Sequence, residues 1–133
     1  MYDQPNAAAL LKIARDTFLR ELLPELPASK RYTGLMLANA MAIAERELAA
    51  GTGELEAELS RLGALYPDTE FPSTNASLNA RLLEYNRRLA AEIRSGDLSG
   101  DREAAVRTHL RATTAARVAV SNPKSLKTVG GRR

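Results

Sequence analysis

Residues 35–44 read LMLANAMAIA, an apolar run that only Asn39 interrupts. Ala, Leu and Met are strong helix formers, and the run is apolar nearly all round a helix. It is far too short to cross a bilayer as a helix. We therefore predict that it forms the middle of a central helix over residues 30–50, ended by Gly51, with alanines that let neighbouring helices pack closely.

Proline and glycine residues divide the rest of the chain into segments in which apolar residues recur at helical spacing. In chain order, the first three predicted helices cover residues 6–23, 30–50 and 53–66. The fourth runs from Asn75 or Ser77 to Gly96, and the fifth covers residues 101–120. The predicted core faces include Phe18, Leu22, Leu59, Leu62, Leu82, Tyr85, Leu89, Val106, Leu110 and Thr113. We expect an all-α fold, an antiparallel helical bundle of four long helices plus one shorter helix, forming one domain over residues 1–123.

The composition supports helices and narrows the kinds of chemistry available. Hydrophobic residues make up 44% of the 133 residues and aromatic residues 5%, so strand formers are scarce. The chain has no Cys, which excludes disulfides, thiol nucleophiles and thiolate metal sites and suits a reducing cytosol. The first residues show no signal-peptide pattern. We therefore expect a cytoplasmic protein with no membrane span.

The positive charge of the chain is concentrated at its C-terminal end. The net charge is +3, but four of the 19 Lys and Arg residues follow Pro123 without any acid, which leaves 15 basic against 16 acidic residues elsewhere. We predict that residues 124–133 form a basic, disordered tail. No aromatic residues are interleaved with these charges to stack on bases, so the pattern argues against a nucleic-acid partner.

The sequence contains no recognisable catalytic or ligand-holding constellation. Neither phosphate-binding glycine loop is present, and no Glu precedes a His by three residues as in di-metal helical bundles. His109 is the only histidine and has no evident nucleophile or orienting partner nearby in the sequence, so we predict a structural or surface role. We predict no catalytic residue, no metal site and no cofactor.

Several polar residues interrupt predicted apolar faces. Asn39 and Arg46 share one face of the second helix, and Arg117 lies on the apolar face of the fifth. Because an unpaired buried charge is costly, we predict that these three lie together, with Glu45 or Glu47 as counter-ion. Two interpretations stay open: an internal polar network, or a polar seam that a partner covers.

Several stretches, taken in order, resemble a family of small, functionally uncharacterised bacterial proteins encoded beside an aminoglycoside-phosphotransferase-like kinase and acyl-CoA dehydrogenases. The resembling residues are Met1-Tyr2-Asp3-Gln4-Pro5, Ala38-Asn39-Ala40, Ile43, Glu45-Arg46-Glu47-Leu48, Asn86-Arg87, Leu89, Ile93-Arg94, Leu110-Arg111-Ala112-Thr113 and Asn122-Pro123. The resemblance implies a noncatalytic accessory subunit of that kinase, which acts on hydroxyacyl-CoA in acyl-CoA catabolism. An acyl-CoA dehydrogenase-like protein is a second expected partner.

The candidate partner-binding or polar-network residues combine the polar interruptions with the polar residues of the resembling stretches. They are Tyr2, Asp3, Gln4, Asn39, Arg46, Glu47, Asn86, Arg111, Arg117 and Asn122. The alternative function is a small acyl-CoA or carboxylate-binding helical protein without a fixed partner, because Arg side chains such as Arg46, Arg94, Arg111 and Arg117 recognise carboxylates and phosphates.

Overall fold

The computed structural model describes residues 5–69 and 76–129, and the regular structure in these ranges is entirely helical. The elements are α1 (Ala7–Thr17), a π-helical turn (Phe18–Leu22), a 3-10 turn (Leu23–Glu25), α2 (Ala28–Ala50), α3 (Gly53–Leu65), α4 (Leu78–Ser95), α5 (Gly100–Ser121) and α6 (Pro123–Val129). The predicted all-α class is confirmed. The arrangement of all the helices as one antiparallel bundle stays a prediction.

The chain divides into two compact units. The first contains the residues up to Gly51 together with those from Val120 onward, and the second runs from Thr52 to Ala119. The first unit is therefore built on α1 and α2, whereas the second is built on α3, α4 and most of α5. The single domain expected over residues 1–123 stays a prediction.

In the first unit, α1 and α2 form a helical hairpin. Arg15 of α1 lies 3.3 Å from the carboxylate of Glu45, late in α2, whereas Phe18 and Leu23, farther along the chain, lie beside Gly34, early in α2. The residues of α2 that are buried are small: Gly34, Ala38 and Ala42. A Cβ atom at Gly34 would lie 2.7 Å from Leu23 Cδ1, so the absence of a side chain permits this close approach.

The first predicted helix is correct at its start and interrupted near its end. The side chain of Asn6 accepts a hydrogen bond from Ala9 N at 3.0 Å and caps α1. After Thr17, however, the backbone widens into the π-helical turn, in which Leu23 N–H donates to Phe18 O, five residues back. Pro24 follows at once, and in an α-helix its ring would clash with the carbonyl of Arg20, four residues back. The α-helix therefore does not reach residue 23 as predicted.

The second unit has an apolar core shared by its three helices. The core consists of Leu62, Tyr66, Leu82, Tyr85, Leu89 and Val106. Ser77 caps α4 by accepting a hydrogen bond from Ala80 N at 3.2 Å, and Gly96 ends the helix in the left-handed conformation with φ 77°. Both ends agree with the sequence prediction for the fourth helix.

Two expectations about the C-terminal third of the chain were wrong in detail. In α5 the buried positions are Val106, His109 and Thr113, whereas Leu110, which we expected in the core, is 40% exposed. The predicted core face of α5 was wrong at this position because residues 106, 109 and 113 match helical spacing as well as residues 106, 110 and 113 do.

The segment predicted as a disordered tail from residue 124 begins instead as α6, and Pro123 occupies the first position of this helix, where proline is favoured. Residues 130–133 lie outside the described residues.

None of the described helices combines the length and the hydropathy that crossing a membrane requires.

Candidate functional site

Two of the predicted site residues, Asn86 and Arg117, meet at a carboxylate that the sequence analysis did not select. Glu58 of α3 is buried, and its Oε1 accepts hydrogen bonds from Asn86 Nδ2 at 3.1 Å and from Arg117 Nη2 at 3.4 Å. The Arg117 side chain is 69% exposed and the Glu58 side chain 6%, so Arg117 reaches a buried acid from the surface. Glu58 is therefore a counter-ion of Arg117 that the sequence analysis did not name, and Glu45 or Glu47 as its counter-ion stays a prediction.

His109 lies in the same polar region of the second unit and is fully enclosed. Its residue exposure is 3%, and neither ring nitrogen has a hydrogen-bond partner in the part of the chain that the structure describes. One turn farther along α5, Thr113 Oγ1 accepts a hydrogen bond from Arg61 Nη2 at 3.4 Å. Burial, with the nearby charge of Arg61, lowers the pKa of His109 from its ordinary value of 6.5. The imidazole is therefore neutral at pH 7.

Arg46 and Asn39, which the sequence analysis expected beside Arg117, belong to the first unit. Arg46 Nε donates to the carbonyl of Val120 at 2.6 Å, within the first unit. This contact satisfies a carbonyl in the last turn of α5, where a positive charge is favourable. Asn39 is exposed because the face of α2 that packs on α1 is the one with Ala38 and Ala42. The grouping of Asn39, Arg46 and Arg117 around one acid stays a prediction.

The remaining predicted site residues are exposed or lie outside the described residues. Glu47, Arg111 and Asn122 are exposed. Glu45, expected as a counter-ion of Arg46 or Arg117, lies 3.3 Å from Arg15 instead. Tyr2, Asp3 and Gln4 lie outside the described residues, so their assignment stays a prediction. A role of the exposed residues at a partner surface also stays a prediction.

A second polar cluster, which the sequence analysis missed, surrounds the ring of Tyr66 at the end of α3. Arg102 Nε and Nη2 donate to the two carboxylate oxygens of Glu92 at 2.7 and 2.8 Å, and Arg102 Nη1 donates to Leu65 O at 2.7 Å. The Tyr66 hydroxyl also donates to Glu92. The guanidinium carbon of Arg88 lies 4.6 Å and that of Arg102 4.7 Å from the Tyr66 ring centroid.

The contacts of this cluster shift the ionisation of its members. Hydrogen bonds from Arg102 and Tyr66 lower the pKa of Glu92 to about 2. Burial, together with the hydrogen bond to the Glu92 carboxylate, raises the pKa of Tyr66 to about 12. Both groups therefore keep one charge state through the neutral range, Glu92 ionised and Tyr66 protonated, as expected of a cluster that joins α3, α4 and α5.

An exposed apolar surface on the α1–α2 hairpin is the third feature that could carry a function. We call it the hairpin surface, and its members are Leu10, Ile13, Tyr32, Leu35, Met36, Leu37 and Leu48. Tyr32 is 74% exposed and Met36 50%. At about 100° per residue, Met36 lies roughly opposite the buried face that contains Gly34 and Ala38. Although the middle of this helix is apolar nearly all round, only Gly34, Ala38 and Ala42 are buried, and its predicted place as a central helix stays a prediction.

In the described ranges, no group of three or more His, Asp and Glu side chains is placed to hold a metal ion. Both polar clusters of the second unit use their carboxylates internally, Glu58 with Asn86 and Arg117, and Glu92 with Tyr66 and Arg102. The apolar side chains of the hairpin surface, in contrast, are largely exposed and pack little against the rest of the chain. It is therefore the candidate functional site of this molecule.

No curated protein and no solved structure matches the chain. The sequence profile of a protein family matches residues 24–125, a range that includes the whole of α2, α3, α4 and α5 and excludes α1. More than half of the chain is matched. The chain therefore belongs to the family described as a domain of unknown function, DUF6285.

Proposed function

We propose that this protein is a noncatalytic accessory subunit of an aminoglycoside-phosphotransferase-like kinase that acts on hydroxyacyl-CoA in acyl-CoA catabolism. The identity of the partner rests on the resemblance described above. The observation that carries the proposal of a binding role is the hairpin surface. An acyl-CoA dehydrogenase-like protein as a further partner, a cytoplasmic location and a single antiparallel bundle belong to the same proposal.

The size of the hairpin surface suits a specific protein–protein contact. Its seven side chains are each about half exposed or more. At roughly 100 Å² each they offer on the order of 700 Å², close to the ~800 Å² per partner that a standard interface buries. Large apolar side chains exposed on this scale are often used for binding.

The distribution of these side chains indicates how a partner would bind. Met36 lies on the face of α2 away from α1, whereas Leu35 and Leu37 lie to either side of it. Apolar contacts on several faces of one helix favour insertion of the hairpin into a groove over a flat contact. We therefore propose that the kinase provides an apolar groove that receives α2.

The internal packing of the first unit supports the same proposal. Among the residues of this unit that the structure describes, Leu23, Gly34, Ala38 and Ala42 are buried, and three of these four contribute little or no apolar side-chain area. The gain from burying apolar surface scales with area, so this unit obtains less stabilisation from its own core than a leucine-rich helix pair does. A partner that covers the hairpin surface would supply the missing burial.

Co-expression of the chain with the neighbouring kinase, followed by affinity purification of the kinase, tests this proposal. Wild-type chain is expected to co-purify in a fixed ratio. Met36→Glu places a charge on the hairpin surface and is expected to abolish co-purification, because an unpaired charge in an apolar interface is costly. Leu83→Glu is the matched control, since Leu83 is 53% exposed but belongs to α4 in the second unit.

The control separates a specific contact from general loss of solubility. Both variants should keep the circular-dichroism spectrum of the wild type, because both sites are exposed. A kinase that is soluble and active alone and never retains the wild-type chain would refute the accessory function. Retention of Met36→Glu at the wild-type level would refute the hairpin surface as its binding site.

A further inference from the structure

The second unit contains an open pocket above the Tyr66 cluster. Its cavity volume is about 510 Å³, and its polar lining includes Asp68, Arg88, Glu92 and Arg102. This volume lies within the range of about 300 to 1,000 Å³ that small-molecule sites occupy. The pocket lies wholly within the second unit, so it is a separate feature from the hairpin surface.

The two arginines of the pocket differ in how many of their guanidinium nitrogens donate hydrogen bonds to other residues of the chain. Arg102 uses all three of its nitrogens, two on Glu92 and one on Leu65 O, so its charge is already balanced. Arg88 uses Nη1 alone, which donates to Thr69 Oγ1 at 2.7 Å. Within the described residues, Nε and Nη2 of Arg88 donate to no acceptor.

Arg88 is also held in place before any ligand arrives. Its guanidinium carbon lies 4.6 Å from the centroid of the Tyr66 ring, a cation–π contact, and the hydrogen bond to Thr69 restricts its rotation. A positioned guanidinium with two uncommitted nitrogens matches the geometry of a carboxylate or phosphate, which it binds through two parallel hydrogen bonds. Little side-chain entropy then remains to be lost on binding.

We propose that Arg88 and the Tyr66 pocket form a binding site for a small molecule that carries a carboxylate or phosphate group. Arg88 binds the anionic group through its uncommitted nitrogens. Arg102 and Glu92 form an ion pair without net charge. This pair holds Tyr66 in place, and the Tyr66 ring in turn positions Arg88. Asp68, which forms no ion pair among the described residues, lies at the pocket and weakens the binding of an anion by repulsion.

Titration of the full chain with inorganic phosphate and, separately, with acetate tests this site at low ionic strength. Backbone amide NMR shifts report binding at each residue, and we expect saturable shifts around residues 65–69 and 88–92. For one charged contact at an open site, we expect weak binding with a dissociation constant on the order of 1 mM, which corresponds to about 4 kcal/mol of binding free energy. Saturation by one anion or by both supports the proposal and identifies the group that the site takes.

Four variants make the titration decisive. Arg88→Gln should weaken binding at least tenfold, and Asp68→Asn should tighten it severalfold. Arg87→Gln is the matched control, because it removes the same charge from the adjacent residue, which lies near Glu84 rather than at the pocket. Arg88→Lys keeps the charge but loses the fork of nitrogens, and it should bind with intermediate affinity.

Several results would overturn the site. These are the absence of saturable shifts with either anion, equal binding by Arg88→Gln and wild type, or an equal loss in Arg87→Gln, which would indicate attraction by net charge alone. The amide spectrum of each unliganded variant shows whether it is folded. If Arg88→Gln is unfolded, Arg88→Lys provides the comparison, and wild-type affinity in Arg88→Lys would contradict the bidentate contact.

Discussion

In the second unit, Leu62, Tyr85 and Leu89 pack into a core that excludes solvent, and the buried acid Glu58 has partners within the unit. In the first unit, the buried residues of α2 are the small Gly34, Ala38 and Ala42, while most of the large apolar side chains of the unit are exposed. Apolar residues therefore stabilise the second unit internally and are available for contacts in the first. The contrast supports our proposal that the first unit binds a protein partner, while the second unit maintains the fold and contains the Tyr66 pocket.

The largest expected difference between the units concerns leucine truncation. Leu62→Ala should lower the free energy of unfolding by about 3 to 5 kcal/mol, because Leu62 has 0% exposure and its removal leaves a cavity. Leu48→Ala in the first unit should change it by less than about 0.5 kcal/mol, since Leu48 is 53% exposed. Urea unfolding followed by circular dichroism measures both, and equal effects would contradict the contrast.

A smaller effect is expected from the polar cluster at Glu58. Arg117→Met leaves the buried carboxylate with Asn86 as its remaining side-chain donor in the cluster, and should cost roughly 1 to 3 kcal/mol. The double variant Glu58→Met/Arg117→Met removes both charges and should recover much of that loss, because well-packed apolar replacements of a buried pair are often tolerated. Urea unfolding of both variants measures the two values. Additive losses in the double variant would show that Arg117 does not act through Glu58.

The enclosed imidazole of His109 predicts a pH dependence of stability in the second unit. Its pKa is lowered in the folded protein, so the unfolded chain takes up the proton first as the pH falls. The stabilisation is therefore complete above about pH 6.5, the unfolded pKa, and is lost as the pH falls toward the folded pKa. The slope for one proton is at most about 1.4 kcal/mol per pH unit.

His109→Leu is the matched variant for this dependence. The charged groups that face the imidazole are Glu58 and Arg61 of α3 and Arg117 of α5, and they stay in place in the variant. Thermal unfolding between pH 5 and 8 should show a steeper loss of stability at the acid end for the wild type than for His109→Leu. Parallel profiles would mean that His109 is solvated or paired in the native state.

Local features of the fold were predictable because they depend on nearby residues. Ser77 as a cap and Gly96 as a terminator act within one turn of the residues that they affect, and the structure confirms both. The choice of His109 over Leu110 for the core of α5 was not predictable, because both positions match the helical period. Only packing against α3 and α4 distinguishes them.

The candidate sites were less predictable than the helices because they depend on distant partners. Glu58 and Arg117 are 59 positions apart, and no pattern in either helix points to the other residue. The Tyr66 cluster likewise joins residues from three helices. The apolar composition of α2 was visible in the sequence, but composition shows only that a surface needs covering. It does not identify what covers it.

Hydrogen–deuterium exchange of the chain, alone and in complex with the kinase, tests most directly whether the first unit binds and the second maintains the fold. We predict that exchange slows on complex formation in peptides from α1 and α2, and that peptides from α3, α4 and α5 change little. The amides around Leu62 should be slow to exchange already in the free chain. Protection confined to α3–α5, with α1 and α2 unchanged, would contradict the account.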